Sequence, residues 1–209
     1  MTTNALPALA TRYRTPVTLE GQTVRLVPLA LEHAGPLWDV LRDHVDEVWA
    51  YLQSVDQPTS ADDYRDLIQD ALDLQATGME LPFAVIEIAG DTPIGTTRFL
   101  DMSVQHRHAE IGWTWYAPPY WRTSVNTQCK YLLLRHAFEE LECIRVQLRT
   151  DERTARSRAA IERIGGKLEG IIRKDRVYKS GWQRSSAQYS LLAEEWPARK
   201  AWFEEQLRR

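Results

Sequence analysis

A mixed α/β fold built around a sheet of about seven strands is the architecture this 209-residue sequence predicts, and three observations carry that expectation. Strand-like and helix-like segments alternate along the chain, with no internal repeat, low-complexity tract or Gly/Ser linker between them. The hydrophobic period changes from two to 3.6 between Tyr116 and Thr127, so a strand runs almost directly into a helix. The composition, 44% hydrophobic and 26% charged, supplies enough apolar side chain for one continuous core. We expect residues 1–209 to form a single domain, with residues 1–16 frayed and residues 193–209 forming a terminal helix.

Residues 21–29 read as a short strand, with Val24, Leu26 and Pro28 alternating against Arg25, Val27 and Leu29. Between residues 31 and 52, Leu37, Val40 and Leu41, then Val45, Val48 and Leu52, fall at helical spacing and predict one or two helices. The next helix starts at the N-cap Ser60, carries Asp62 and Asp63 in its first turn, and stops at Gly78. Tyr64, Leu67, Ile68, Ala71, Leu72 and Leu74 form its buried stripe. Residues 81–90, 93–104 and 108–118 are three consecutive strands, and the short turns between them predict an antiparallel meander.

Residues 127–141 then form a helix, with Leu133, Ala137 and Leu141 on one line and Leu134 and Phe138 beside it. Residues 144–151 are the next strand. A helix over 154–165 turns Ala160, Ile161 and Ile164 inward and ends at Gly165 and Gly166. Two strands, 167–178 and 185–192, precede an amphipathic helix over 194–207.

A net charge of −3 and a pI near 6.0 give no electrostatic reason for the chain as a whole to bind nucleic acid, and no nucleic-acid partner is expected. No apolar run reaches the roughly 20 residues that span a bilayer. The N-terminus has no basic region followed by an apolar core, so the expected compartment is the cytoplasm. Cys129 and Cys143 sit among apolar residues and read as small buried hydrophobes. His106 and His108 have no third ligand nearby, and we expect no metal. There is no GxSxG elbow, HExxH pair or Walker loop.

The informative stretch is the strand HAEIGWTWYAP, the turn PYWRTSVNT and the helix that follows. A strand that feeds a helix N-terminus brings unpaired backbone N–H groups and the positive end of the helix dipole together, a ready cradle for phosphate. EIGWTW, then PYWxxxxNTxxxxLLLxHAFE, then IRVQLRTDERTxxSRxAIERIGxKLEG, resembles the GNAT N-acetyltransferases, and within them the RimJ/RimL branch. The resemblance runs from about residue 21 to 196 and is densest from 110 to 170.

That resemblance implies a meander splayed against a parallel strand, with acetyl-CoA bound where the strand ending near Tyr116 parts from the one starting near Ile144. Trp115, Tyr116, Arg122, Thr123, Ser124, Val125, Asn126 and Thr127 would then meet the cofactor, with Thr154 and Ser157 on the later helix. The family turn (Q/R)xxGx(G/A) falls on residues 121–126, so the glycine slot holds Ser124 and the small slot Asn126. Glycine lets backbone approach phosphate closely, whereas Ser and Asn need permitted φ/ψ. Asn126 or Thr127 reads first as an N-cap for the following helix, a role compatible with cofactor contact. Of Arg153, Arg156, Arg158 and Arg163, a solvated set, one or two would meet the CoA 3′-phosphate.

Acetyl transfer to an amine needs a base for the amine proton and gains from an acid at the leaving thiolate. Glu110 occupies the position where several of these enzymes carry the base; its other reading is a strand glutamate facing solvent or paired with Arg98 or Arg107. The family's Asn falls on Thr154 and its sulfur-protonating Tyr on Ile161, so the usual acid is absent. Ser157 is the substitute candidate, against the reading of a first-turn helix serine. Trp38 and Trp49 lie where this fold builds its acceptor pocket.

The implied activity is direct transfer from acetyl-CoA to a primary amine, either a protein N-terminus or a small molecule, without an acyl-enzyme on Cys129. Homodimers are common in the family. The alternative is an acyl-CoA-binding or interaction module that has lost turnover.

Overall fold

The computed structural model describes residues 5–50, 52, 56–178 and 180–208. Among them eight strands form one sheet in the order β1-β2-β3-β4-β5-β6-β8-β7. They are β1 (Leu19–Glu20), β2 (Val24–Pro28), β3 (Leu81–Glu87), β4 (Thr92–Ser103), β5 (His108–Tyr116), β6 (Arg145–Asp151), β7 (Lys167–Val177) and β8 (Gln183–Leu192). The strand beyond the expected seven is the two-residue β1, too short to leave a periodic signal. The β3–β4–β5 meander is antiparallel, and β5–β6 is the parallel pair.

Among the described residues seven α-helices flank the sheet: α1 (Ala5–Arg14), α2 (Ala34–Leu41), α3 (Val45–Trp49), α4 (Ala61–Thr77), α5 (Val125–Arg135), α6 (Ala155–Arg163) and α7 (Trp196–Leu207). α4 uses the expected caps: Ser60 Oγ accepts from the Asp63 amide at 3.1 Å, and Gly78 sits in the left-handed region at φ 79°. α5 continues as a π-helical segment, His136–Glu140.

The N-terminal stretch corrects an expectation. It is helical from Ala5 to Arg14 where fraying was expected, and residues 1–4 lie outside the described set. Leu9 and Tyr13, one helical turn apart, enter the main core, and the Tyr13 hydroxyl meets Cys143 Sγ at 3.1 Å.

The two faces of the sheet have separate cores. On one, Leu26, Phe83, Val85, Phe99 and Ile111 pack against Cys129, Leu132 and Leu133 of α5, with Trp196 and Phe203 of α7 in the same cluster. On the other, Ala84, Ile86 and Trp115 pack against α2, α3 and the Tyr64, Ile68 and Ala71 stripe of α4. β3 alternates between the two, so nearly all its residues are buried, as a strand covered on both sides must be. α5 is tied to the sheet edge by Gln128, whose Oε1 accepts the amides of Thr23 and Val24 at 2.8 and 2.9 Å.

Candidate active site

The parallel pairing of β5 and β6 covers His108↔Arg145, Ala109↔Val146 and Glu110↔Gln147, and then stops. Both strands run on, to Tyr116 and Asp151, and β6 stays fully paired with β8 on its other side. The departure belongs to β5. Between Arg98↔Gly112 and Thr96↔Trp115, two steps along β4 face three along β5, a β-bulge whose extra residue Trp113 has φ 49°. Bulges bend and twist the strand that carries them, and this one turns β5 away from β6. Gly95 accepts the distorted backbone: a Cβ there would stand 2.1 Å from the Trp115 carbonyl oxygen.

The gap opens into a cleft of about 1160 Å³. Its walls include Glu110, Trp115, Tyr116, Arg122, Thr123, Asn126 and Ser157. Of the other expected cofactor contacts, Ser124, Val125, Thr127 and Thr154 do not line it. Thr154 is buried, and its hydroxyl has no hydrogen-bond partner.

At the cleft mouth α5 begins one residue after the glycine slot. Ser124 is its N-cap residue, at φ −69° and ψ −13°, an ordinary right-handed conformation that needs no glycine. The left-handed residue of the turn is Arg122, at φ 62°. Asn126 and Thr127 therefore sit inside the first turn and are not caps. Asn126 Oδ1 accepts from the Tyr116 hydroxyl at 3.3 Å, and Thr127 Oγ1 accepts from Arg163 Nη1 at 3.1 Å. The Val125 amide is met by Thr123 Oγ1 at 3.3 Å, while the amides of Ser124, Asn126 and Thr127 take no partner among the described residues. These N–H groups, the helix dipole and Arg122 suit an anion. Arg156 adds charge from α6, its guanidinium 4.3 Å from the Trp121 ring centroid.

Glu110 occupies the last paired position before the strands separate. It is 5% exposed, and its partner is Arg149 of β6, not Arg98 or Arg107. Arg98 pairs with Glu80 at 2.7 Å, and Arg107 lies near Glu142. Burial raises the Glu110 carboxyl above its usual value, and Arg149 only partly offsets that. Ser157, half-buried in the first turn of α6, lines the cleft, as does Ile161 in the position of the missing tyrosine. Lys130 lines it too, and no sequence argument had singled it out. The available signal was a lysine four residues before Leu134 and seven before Ala137, inside the apolar stripe of α5.

The two tryptophans separate. Trp49 lines a second cavity of about 440 Å³, with Tyr64, Asp70, Asp73, Trp113 and Trp115. That cavity shares Leu74, Glu80, Trp113 and Trp115 with the main cleft. Trp49 is 3% exposed, and its Nε1 has no hydrogen-bond partner. Trp38 lines neither cavity and packs against the second core. Cys129 is buried, and its thiol is pushed up to about 12, which leaves it protonated and a poor nucleophile.

Residues 23–167 match the family model described as Acetyltransferase (GNAT) domain. The chain is 31% identical over 178 residues to the Bacillus subtilis (strain 168) protein named "Putative ribosomal N-acetyltransferase YdaF", covering 85% of this chain and 94% of that one. The crystal structure of a GCN5-related N-acetyltransferase from Brucella melitensis superposes with a TM-score of 0.85 at 27% identity, covering 91% of this chain and 85% of that one. Mycobacterium smegmatis RimJ, in complex with CoA-disulfide, shares the fold at a TM-score of 0.72 and 20% identity, with 87% of each chain covered. The splayed parallel pair, the helix N-terminus at its mouth and these matches agree, and the chain belongs to the GNAT acetyltransferase family of N-acyltransferases.

Proposed function

We propose that residues 1–209 act as one domain that transfers an acetyl group from acetyl-CoA to a primary amine by direct attack. The observation that carries this reading is the place of Glu110, a buried carboxylate at the point where β5 and β6 part. In this reading the CoA diphosphate meets the free amides at the start of α5, with Arg122 and Arg156 beside it, and pantetheine runs between the strands past Tyr116 and Trp115. The neutral amine forms the N–C bond as the C–S bond breaks, and Glu110 takes the amine proton. Ser157 supplies a hydroxyl near the thioester.

A protein N-terminus is the acceptor class the observations favour. The Bacillus subtilis relative is named for ribosomal N-acetylation, and the Trp49 cavity adjoining the cleft offers room for a side chain next to the reacting amine. The acidic residues on its rim, Asp70 and Asp73, suit an ammonium on approach. Titration calorimetry with acetyl-CoA tests the donor, and absence of binding at millimolar cofactor would sink it. A mass-spectrometric screen over peptides and small amines tests the acceptor: acetylation of small amines alone removes the protein N-terminus, and binding without thiol release across the whole panel leaves a non-catalytic acyl-CoA module.

A further inference from the structure

Lys130 sits on α5 five residues beyond Val125, roughly 7–8 Å deeper along the axis than the anion cradle. Its side chain is buried, yet it reaches the wall of the cleft. Nζ donates to Thr114 Oγ1 at 2.8 Å, and Thr114 directly follows the bulged Trp113. Thr114 Oγ1 lies 2.8 Å from Thr97 Oγ1, so the contact leads only to uncharged hydroxyls. No salt bridge among the described residues engages Lys130. Its titratable neighbour, Cys129 on the same helix, is pushed up by burial and stays neutral, so it supplies no counter-charge.

A buried ammonium without a counter-charge is unfavourable, and an anion carried in by a ligand would relieve that cost. An acyl-CoA brings two candidates, its diphosphate and the thiolate that forms as the C–S bond breaks. The diphosphate has the α5 amides, Arg122 and Arg156 at the mouth, whereas Lys130 stands deeper, beside the bulge from which the strands part. Ile161, in the slot where the resemblance implies a proton-donating tyrosine, has nothing to donate.

We propose that Lys130 is the acid of the reaction, standing by the thioester sulfur and giving its proton to the departing CoA thiolate. The inference rests on the acetyl-CoA reading above. The amine nitrogen bonds to the carbonyl carbon, and the C–S electron pair leaves on sulfur. An S–H bond forms with a proton from Nζ, and Glu110 takes the proton lost by the amine. Solvent then carries a proton from Glu110 back to Lys130. Desolvation brings the ammonium down to about 8, close to the ~8.5 of an ordinary alkyl thiol, so the transfer is nearly balanced. Ser157 then contributes a hydrogen bond and not the proton.

The test compares wild type with Lys130→Met and Lys130→Gln, the second of which keeps a donor for Thr114 but no transferable proton. Both variants should bind acetyl-CoA within about threefold of wild type and lose about 100-fold in kcat, a loss that shrinks with acetyl thioesters of more acidic thiols. Ultraviolet titration of bound CoA gives a readout apart from turnover: its thiol pKa should lie below the free value in wild type and return to it in the variants. Lys130→Met should melt no lower than wild type, because it removes an uncompensated charge. Wild-type kcat in Lys130→Gln, an equal loss for every leaving group, or an unshifted CoA thiol in the wild-type complex would each overturn the assignment. Should Lys130→Met fail to fold, the glutamine variant and the wild-type titration decide. A wild-type protein that binds no acetyl-CoA sinks the reading beneath it, whereas normal turnover in Lys130→Gln sinks this inference alone.

Discussion

Arg149 sets both Nε and Nη2 on a single oxygen of Glu110, at 2.9 and 2.5 Å, and leaves Oε1 without a hydrogen-bond partner among the described residues. The guanidinium spans the gap between β5 and β6 where their own pairing has ended, and it keeps a buried charge compensated while one oxygen stays open to accept a proton.

Glu110→Gln keeps the shape and removes the base. We expect kcat to fall by about 100- to 1,000-fold, with acetyl-CoA affinity held within about threefold. Thiol-release kinetics beside titration calorimetry check both halves, and undiminished turnover would remove Glu110 from the proton path.

The acid limb of the kcat profile should follow Glu110. Burial already raises its carboxyl, and the base works only as carboxylate, so activity is lost as pH falls through that raised value. Removing the nearby positive charge raises it further. Arg149→Met should therefore move the acid limb to higher pH; a limb that stays put or moves down contradicts the assignment.

Trp49→Phe keeps an aromatic wall and deletes the unpartnered indole N–H, so the acceptor KM should rise severalfold with little change in kcat. Trp38→Phe is the internal control and should leave acceptor KM alone, because Trp38 reaches neither cavity. Equal effects from both would point to general loosening of the second core.

At Arg122 stability and binding should move in opposite directions. A non-glycine residue in the left-handed region costs about 1–2 kcal/mol, so Arg122→Gly should raise stability by up to about 1 kcal/mol after glycine's own entropy is counted. It should also weaken acetyl-CoA binding severalfold, as should Arg122→Ala, which keeps the strain. Chemical denaturation and calorimetry separate the two effects.

Cys129→Ala should retain turnover, and intact-mass measurement after mixing with acetyl-CoA should show no acyl group on Cys129. A buried, protonated thiol has no route to an acyl-enzyme. Complete loss of activity with cofactor binding intact would reverse that conclusion.

Much of the fold was legible in the chain because the signals are local. Ser60 and Gly78 mark the ends of α4 through capping, and the switch of period after Tyr116 marks where β5 yields to α5. The N-terminal helix was missed because only two apolar residues, Leu9 and Tyr13, enter the core from it, and the contact of Tyr13 with Cys143 spans 130 residues. The glycine-poor turn looked costly from the sequence, and the structure removes the difficulty by placing Ser124 in a right-handed conformation and the left-handed one at Arg122.

By itself, then, the sequence determined the order and kind of the elements, the family they spell out, and Glu110 as a carboxylate on the strand before the cradle. Periodicity, capping and motif spacing are properties of neighbouring residues, and they survive without knowledge of what packs on them. Only the tertiary structure decided that Arg149, 39 residues away, pairs with Glu110, that Trp49 lines a cavity while Trp38 does not, and that Lys130 is buried beside Thr114. One extra residue at Trp113 advances the alternation of β5 by a position and parts it from β6. Such a slip changes which side chains share a space without altering any local pattern, and so it is decided where strands meet.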